Sequence, residues 1–531
     1  MKHTLLLFNG VVHTMEPRAP LASAVAIRDG HFLYVGEEAG ARVALVGAEG
    51  VQEMDLGGRC VLPGLTDSHL HFMWYAQSLH GVDVETATLA EALGRVRASA
   101  GEAKPGAWII GSGWNHNVWG SGAFPDKFSL DRAAPGNPVM LEAKNGHALW
   151  VNSMALEKAG IGLDTTDPQG GKIVHGGDGM PSGVLLDKAM RLVHAIVPRP
   201  SAGELAQMMR RAQAEAHRRG LTGIHDFDAT LAFEAFQELD GAGQLSLRVV
   251  KGIPHEALGQ AIELGLRSGF GDDMLRVGPV KMFADGALGS QTAWMLAPYE
   301  GTWSTGIPVV SEDELFGEVL RANQAGLACA VHAIGDAACH VVLNAYERAR
   351  SSLPAKRAMR NRVEHAQLLH PDDVCRFAQL SIIASMQPLH ATSDMLIAER
   401  YWGERCETAY AWKSLLDSGA RLAFGSDCPV EVPEPILGIH AAVTRRRRDG
   451  SPGPEGWRPS QRLSVEQAVH GYTLGAAYAA GQEALLGSVV PGKLADLTIV
   501  DRDIFEVPLQ DILGTVVSAT VVGGQVVYKD F

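Results

Sequence analysis

Apolar positions along the chain follow two regimes. Near both ends, short apolar runs alternate with glycine-rich turns. Leu5–Leu7 closes at Asn9-Gly10 and Val11-Val12 follows; Ala24–Ile27 and His31–Val35 come next. At the far end lie Leu497–Val500 and Val516–Val527, the latter broken at Gly523-Gly524. These runs predict β-strands, with Asn9-Gly10 as the turn between the first two. Neither end has enough strands to bury a core alone. The pattern therefore predicts one small β-sandwich built from both termini, residues 1–60 and 487–531. From Leu221 the middle of the chain alternates strand-like runs with helix-like stretches, as in Glu312–Gln324 ahead of Ala328–His332. Strand, helix, strand with chemistry at the strand ends is the rhythm of a (β/α)8 TIM-type barrel, whose active site lies at the C-terminal face. The barrel is placed at 61–486. The stretch from about 73 to 220 is too long for one βα unit and holds Trp108, Trp114, Trp119 and Trp150. It reads as an insertion over the barrel mouth that shapes a substrate pocket.

Several strand-like runs end in groups able to bind a metal. Leu62 to Leu70 crosses a Pro63-Gly64 turn and reaches His69 and His71, one residue apart. Side chains alternate along a strand, so the two imidazoles share a face and can chelate one divalent ion. Among 20 histidines one such pair is weak evidence. Later runs strengthen it: Val277–Phe283 carries Lys281, Ala328–His332 ends in His332, Asn361–His365 ends in His365, and Arg421–Asp427 ends in Asp427. A buried lysine is costly as a cation and titrates low. The plain alternative is a lysine snorkelling from a strand end or paired with Asp285.

The order His69-x-His71, Lys281, His332, His365, Asp427 resembles the ligand order of the amidohydrolase superfamily, over nearly the whole chain. The likeness is to its amidohydrolase-3 branch, which includes the N-substituted formamide deformylases. It is carried by Gly113-Trp114-Asn115, Asn145-Gly146-His147-Ala148, Val280–Ser290, His332–Asp336, Val363–Gln367 and Gly425–Val430. The resemblance implies the composite terminal domain, with re-entry at Gly487–Asp496, and a mouth insertion. It also implies two metal ions, zinc being expected. His69, His71 and Asp427 would serve one and His332 and His365 the other, with Lys281 as a bridging carbamate. In the implied mechanism the metals acidify a water, Asp427 takes its proton and passes it to the departing amine. The expected reaction is hydrolysis of a C–N bond in an amide. Two readings stand beside it: a deaminase or cyclic amidase on the same scaffold, and a non-catalytic regulatory or binding protein.

Other residues are weighed by position. Trp114 and His147 fall in the branch-like motifs and are candidate substrate contacts, with burial as the bland alternative. His225 ends the second barrel strand; Gln387 and His390 follow the seventh and could hold a leaving group. Gly176–Gly179 lacks the lysine and context of a phosphate loop. Arg445–Arg448 reads as a solvated helix end and loop.

Composition narrows the partners. Asp and Glu number 60 against 46 Lys and Arg, giving −14 with histidine neutral, which does not suggest nucleic acid. No apolar run approaches the roughly 20 residues of a spanning helix. Leu5–Phe8 is too short for a signal peptide. Six scattered cysteines without a Cys-x-x-Cys pair suggest reduced thiols in a cytoplasmic enzyme; the small-molecule amide substrate is what the resemblance implies. A homodimer is compatible with these features.

Overall fold

The computed structural model describes residues 4–531, apart from 117, 120–122, 145, 147, 169–170 and 354–358. The apolar runs of the middle region form eight strands: β1 Leu65–Leu70, β2 Leu221–Asp226, β3 Arg248–Pro254, β4 Leu275–Phe283, β5 Cys329–Ala333, β6 Arg362–His365, β7 Ile383–Met386 and β8 Arg421–Phe424. They make one parallel sheet in sequence order. The sheet ends meet: Ser68 Oγ donates to Phe424 O (2.6 Å), Asp427 N–H to His69 O (2.7 Å) and His71 N–H to Cys428 O (2.7 Å). This is the (β/α)8 barrel. Its strands are buried on both faces, as a parallel sheet jacketed by helices requires. The helix Glu312–Gln324 shows why the jacket forms. Ser311 and Glu314 make a capping box, and Leu315, Val319 and Ala322 recur at helical spacing on the buried side.

Both termini build the β-sandwich. Thr4–Phe8 lies between Ala24–Arg28 and Val51–Asp55 in a four-stranded sheet. Val11–His13, Cys60–Pro63, Leu497–Val500, Val517–Val522 and Gln525–Lys529 run through a six-stranded one. Strand periodicity sorts the side chains: Leu5 and Leu7 join the sandwich core with Val61, Leu497 and Ile499, while Leu6 packs with Ala41 and Leu45 of the helix side. The Asn9-Gly10 turn does not close a hairpin. It carries the chain from one sheet to the other, with Asn9 in the left-handed region at φ 59°. The sandwich is tied to the barrel by Arg248, whose Nε and Nη2 donate to Asp496 Oδ2 (2.6 Å) and Oδ1 (2.9 Å).

The described chain divides into two compact units, Met1–Met73 with Met209–Phe531, and Trp74–Met208. The second has its own six-stranded mixed sheet, from Gly171–His175 through Ala148–Val151 and Ile109–Trp114 to Val82–Asp83. Its core holds Trp114 and Trp150, with Trp119 packed against them. It ends sooner than residue 220. Gln213 on the helix Ala202–Arg218 already accepts from Ser246 and Leu247 at the entry to β3, which draws that helix to the barrel. Arg445 is not solvated. It is fully buried between the rings of Trp412 (4.4 Å) and Trp457 (5.0 Å) and donates to the Trp457 and Tyr410 carbonyls. All six cysteines are free thiols. Among the described residues no helix is long and apolar enough to cross a membrane.

Candidate metal centre

The barrel brings the predicted ligands together at the C-terminal ends of its strands. His69 lies in β1 and His71 just beyond it, their Nε2 atoms 3.4 and 3.5 Å from Asp427 Oδ1. One donor atom from each of these three residues lies within 4.8 Å of those of the other two. From β4, Lys281 Nζ reaches 3.3 Å from His69 Nε2. His332 of β5 and His365 of β6 pack with ring centroids 4.5 Å apart, and His365 is 4.9 Å from His69. His365 and Asp427 both adopt left-handed backbone, φ 73° and 60°. Such geometry in non-glycine residues costs of order 1–3 kcal/mol and clusters at functional sites. Gly425 lets β8 approach, since a Cβ there would stand 2.5 Å from His69 N.

Each imidazole has one nitrogen held from behind. His69 Nδ1 lies 2.5 Å from Glu364 Oε2, and Arg362 donates to the same carboxylate. His71 Nδ1 faces Asp228 Oδ1 at 3.3 Å. His365 Nδ1 meets Gln387 Oε1 at 2.9 Å, and His332 Nε2 meets Gly286 O at 3.0 Å. Burial, reinforced by the Lys281 charge, pushes the His69 and His332 pKa values down, His332 to about 3. Burial and the neighbouring imidazoles do the same to His365. Burial opposes charge on His71, but Asp228 and Asp427 outweigh it and raise its pKa. Burial pulls Lys281 down to about 8 against the attraction of Glu364 and Asp427. Asp285 does not pair with Lys281: its carboxylate accepts the N–H groups of Trp294, Ile334 and Gly335. Three imidazoles with lowered pKa values, a fourth beside two carboxylates, Asp427 and a lysine with a depressed pKa form a donor set suited to borderline divalent ions.

The Amidohydrolase family profile matches residues 52–528. The chain belongs to the amidohydrolase family. It is 35% identical to Protein LONG AFTER FAR-RED 3 of Arabidopsis thaliana, over 99% of this chain and 91% of that protein. It is 29% identical to the N-substituted formamide deformylase of Arthrobacter pascens, over 99% and 98% respectively. A metal-dependent hydrolase from Pyrococcus furiosus of uncharacterised activity has the same fold. Its TM-score is 0.78 at 29% identity, covering 95% of this chain and all of that one.

The remaining candidates of this amidohydrolase are placed as follows. His390, on the helix Pro388–Trp402, brings Nε2 to 3.8 Å from Asp427 Oδ2. Gln387 stands behind His365. His225 meets Arg362 Nη1 through Nδ1 at 3.0 Å inside the barrel, and burial lowers its pKa to about 3. Trp114 lies in the core of the second unit and donates to Leu141 O (2.9 Å). His147 lies outside the described residues. The supporting residues Glu364 and Asp228, and Gln367, whose Nε2 lies 3.4 Å from His390 Nδ1, carry no ligand signal of their own in the sequence. Glu364 and Gln367 sit in the quoted Val363–Gln367 motif, and Asp228 follows Asp226 by two positions.

Proposed function

We propose that this amidohydrolase is a metal-dependent hydrolase that cleaves the C–N bond of a neutral amide with an apolar amine side, an N-substituted formamide being the type case. The observation that carries the proposal is the convergence of His69, His71 and Asp427 with Lys281 Nζ beside them. The named activity of the Arthrobacter pascens relative supports the substrate class. His69, His71 and Asp427 would hold one zinc ion and His332 and His365 a second, with Lys281 as a carbamate between them. Bound ions of this kind lower the pKa of water and polarise a carbonyl.

The chain's own groups do the rest. Asp427 accepts the proton of the attacking water and delivers it to the amine nitrogen. As the C–O bond forms, the C–N bond breaks, its electron pair stays on nitrogen, and a carboxylic acid and an amine result. Among the described residues, buried polar atoms near the cluster without a hydrogen-bond partner include His390 Nε2, Gln387 Nε2, Gln367 Oε1 and Asp228 Oδ1. Unmatched buried donors and acceptors are costly, and an amide offers one of each kind. Arg362 in the barrel and Arg405 beyond the helix Pro388–Trp402 are engaged by other partners. Arg362 is held by Glu364, Ser68 O, Ser385 and His225, and Arg405 donates to the carbonyls of Ala297, Pro298 and Trp402. That favours a neutral substrate over an N-acyl amino acid.

The test is a substrate panel at fixed zinc loading: N-benzyl and N-aryl formamides and acetamides against N-acyl amino acids, cyclic ureides and aminopurines. The highest kcat/KM is expected for the formamides. A clear preference for N-acyl amino acids, or deamination, sinks the substrate class.

A further inference from the structure

The oxygens behind the four imidazoles differ in charge. The first pair is backed by carboxylates: Glu364 Oε2 is 2.5 Å from His69 Nδ1, and Asp228 Oδ1 is 3.3 Å from His71 Nδ1. The second pair is backed by neutral oxygens: Gln387 Oε1 is 2.9 Å from His365 Nδ1, and Gly286 O is 3.0 Å from His332 Nε2. Asp285 Oδ1 also lies 3.5 Å from His332 Nε2, but that oxygen is farther than the carbonyl and already accepts the Ile334 N–H. An imidazole hydrogen-bonded to a carboxylate, as His69 is to Glu364, is a stronger donor through its other nitrogen than one backed by an amide, and its orientation is fixed. Among the described residues Asp228 Oδ1 has no hydrogen-bond partner, and it acts on His71 through charge at 3.3 Å.

Each carboxylate is itself anchored. Arg362, fully buried, donates through Nε and Nη2 to the two oxygens of Glu364 and is held in turn by Ser68 O and Ser385 Oγ. Asp228 Oδ2 accepts the Met73 N–H, and Asp228 N–H donates to Asp226 Oδ2, which is paired with Lys251 Nζ at 3.0 Å. Three strands, β2, β3 and β6, thus contribute charged side chains or their anchors behind the His69–His71 pair.

We propose that Glu364 and Asp228 are positioning residues that make His69–His71–Asp427 the tighter of two metal positions, filled before the His332–His365 position. The proposal rests on the metal-centre reading above. It does not depend on which amide is cleaved.

Zinc titrated into metal-free full-length protein, in competition with a chromophoric chelator, should bind in two steps. Glu364→Gln should weaken the first step by about 10–100-fold and leave the second unchanged. His332→Asn should abolish the second step and keep the first. Gln387→Glu, which places a carboxylate behind His365, should tighten the second. Far-UV circular dichroism and the melting temperature of each metal-free variant report whether it has folded. Asp228→Asn leaves the Arg362–Glu364 pair intact and gives an independent reading. A single step of equal affinities overturns the proposal, as does an unchanged first step in both Glu364→Gln and Asp228→Asn. Wild-type protein that binds no zinc overturns the metal-centre reading itself.

Discussion

Lys281 Nζ lies 3.3 Å from His69 Nε2, although 212 positions separate the two residues in the chain. The lysine is buried, with the rings of Phe227 and Phe283 at 5.1 and 5.0 Å. Burial brings its pKa to about 8, so a substantial neutral fraction exists near physiological pH. A neutral amine can attack carbon dioxide and lose a proton, leaving an anionic carbamate with two oxygens to offer.

From this follows the first prediction. Wild-type protein loaded in the presence of bicarbonate should hold about two ions per chain, and Lys281→Met about one. Elemental analysis gives the count, and a ¹³C-bicarbonate NMR spectrum reports the carbamate directly. Two ions retained in Lys281→Met, or no carbamate signal in the loaded wild type, would rule out the bridge.

Asp427→Asn should fold normally and lose turnover. The amide fills the same space beside His69, His71 and His390 but cannot take up the proton. General acid–base groups contribute about 10²–10⁴-fold, and kcat should fall by that order. Metal content must be measured alongside, because Asp427 Oδ1 is also part of the donor cluster. A variant that carries its metal and keeps near-parental kcat would remove Asp427 from the proton-transfer role.

The barrel rhythm and its ligand candidates were legible because each of these side chains lies within or closes an apolar run, a signal contained within a few residues. The groups behind them were not. Glu364 meets His69 across 295 positions, so only the closed barrel brings them together. Arg445 illustrates the same gap. As part of a four-arginine run it looks like a solvated helix end, yet Trp412 and Trp457 enclose it from distant segments. Asn9-Gly10 carries a hairpin signal, and the local turn chemistry is indeed used. Which sheet receives the next strand depends on Cys60–Pro63, about which the turn carries no information.

Acid should destabilise the metal-free protein partly through His440, buried on the helix Pro435–Thr444. Burial, then the Arg446 charge, lowers its pKa from 6.5 to about 4. As pH falls below 6.5 the unfolded chain takes up a proton that the folded one refuses. Between these values the unfolded state binds more protons, so stability rises with pH and is lost on acidification. His440→Asn should flatten the melting temperature against pH between about 6.5 and 4, relative to wild type. Parallel profiles for the two proteins would show that His440 does not refuse the proton.

The last prediction concerns the join between barrel and sandwich. Arg248, at the start of β3, and Asp496, at the entry to the C-terminal strands, form a two-point ion pair with little exposure on either side. Asp496 Oδ1 also accepts the Gly523 N–H, so one carboxylate ties β3 to the final hairpin. Removing one partner of a buried pair leaves an uncompensated charge and typically costs about 3–5 kcal/mol. Asp496→Ala should therefore lower stability by that order without changing the number of metals bound, since neither residue reaches the ligand cluster. Replacing both, with Arg248→Leu and Asp496→Leu together, should cost less than Asp496→Ala alone, because no orphaned charge remains. Truncation before Gly487 goes further. It removes Leu497–Val500, whose strand pairs with Cys60–Pro63, and with it the partners of Val61 in the sandwich core. The truncated chain should be insoluble or melt well below the parent. Denaturant melts of the point variants and a solubility assay of the truncation decide the matter. A soluble truncation with the parental melting temperature would mean that the two ends of the chain do not stabilise one another.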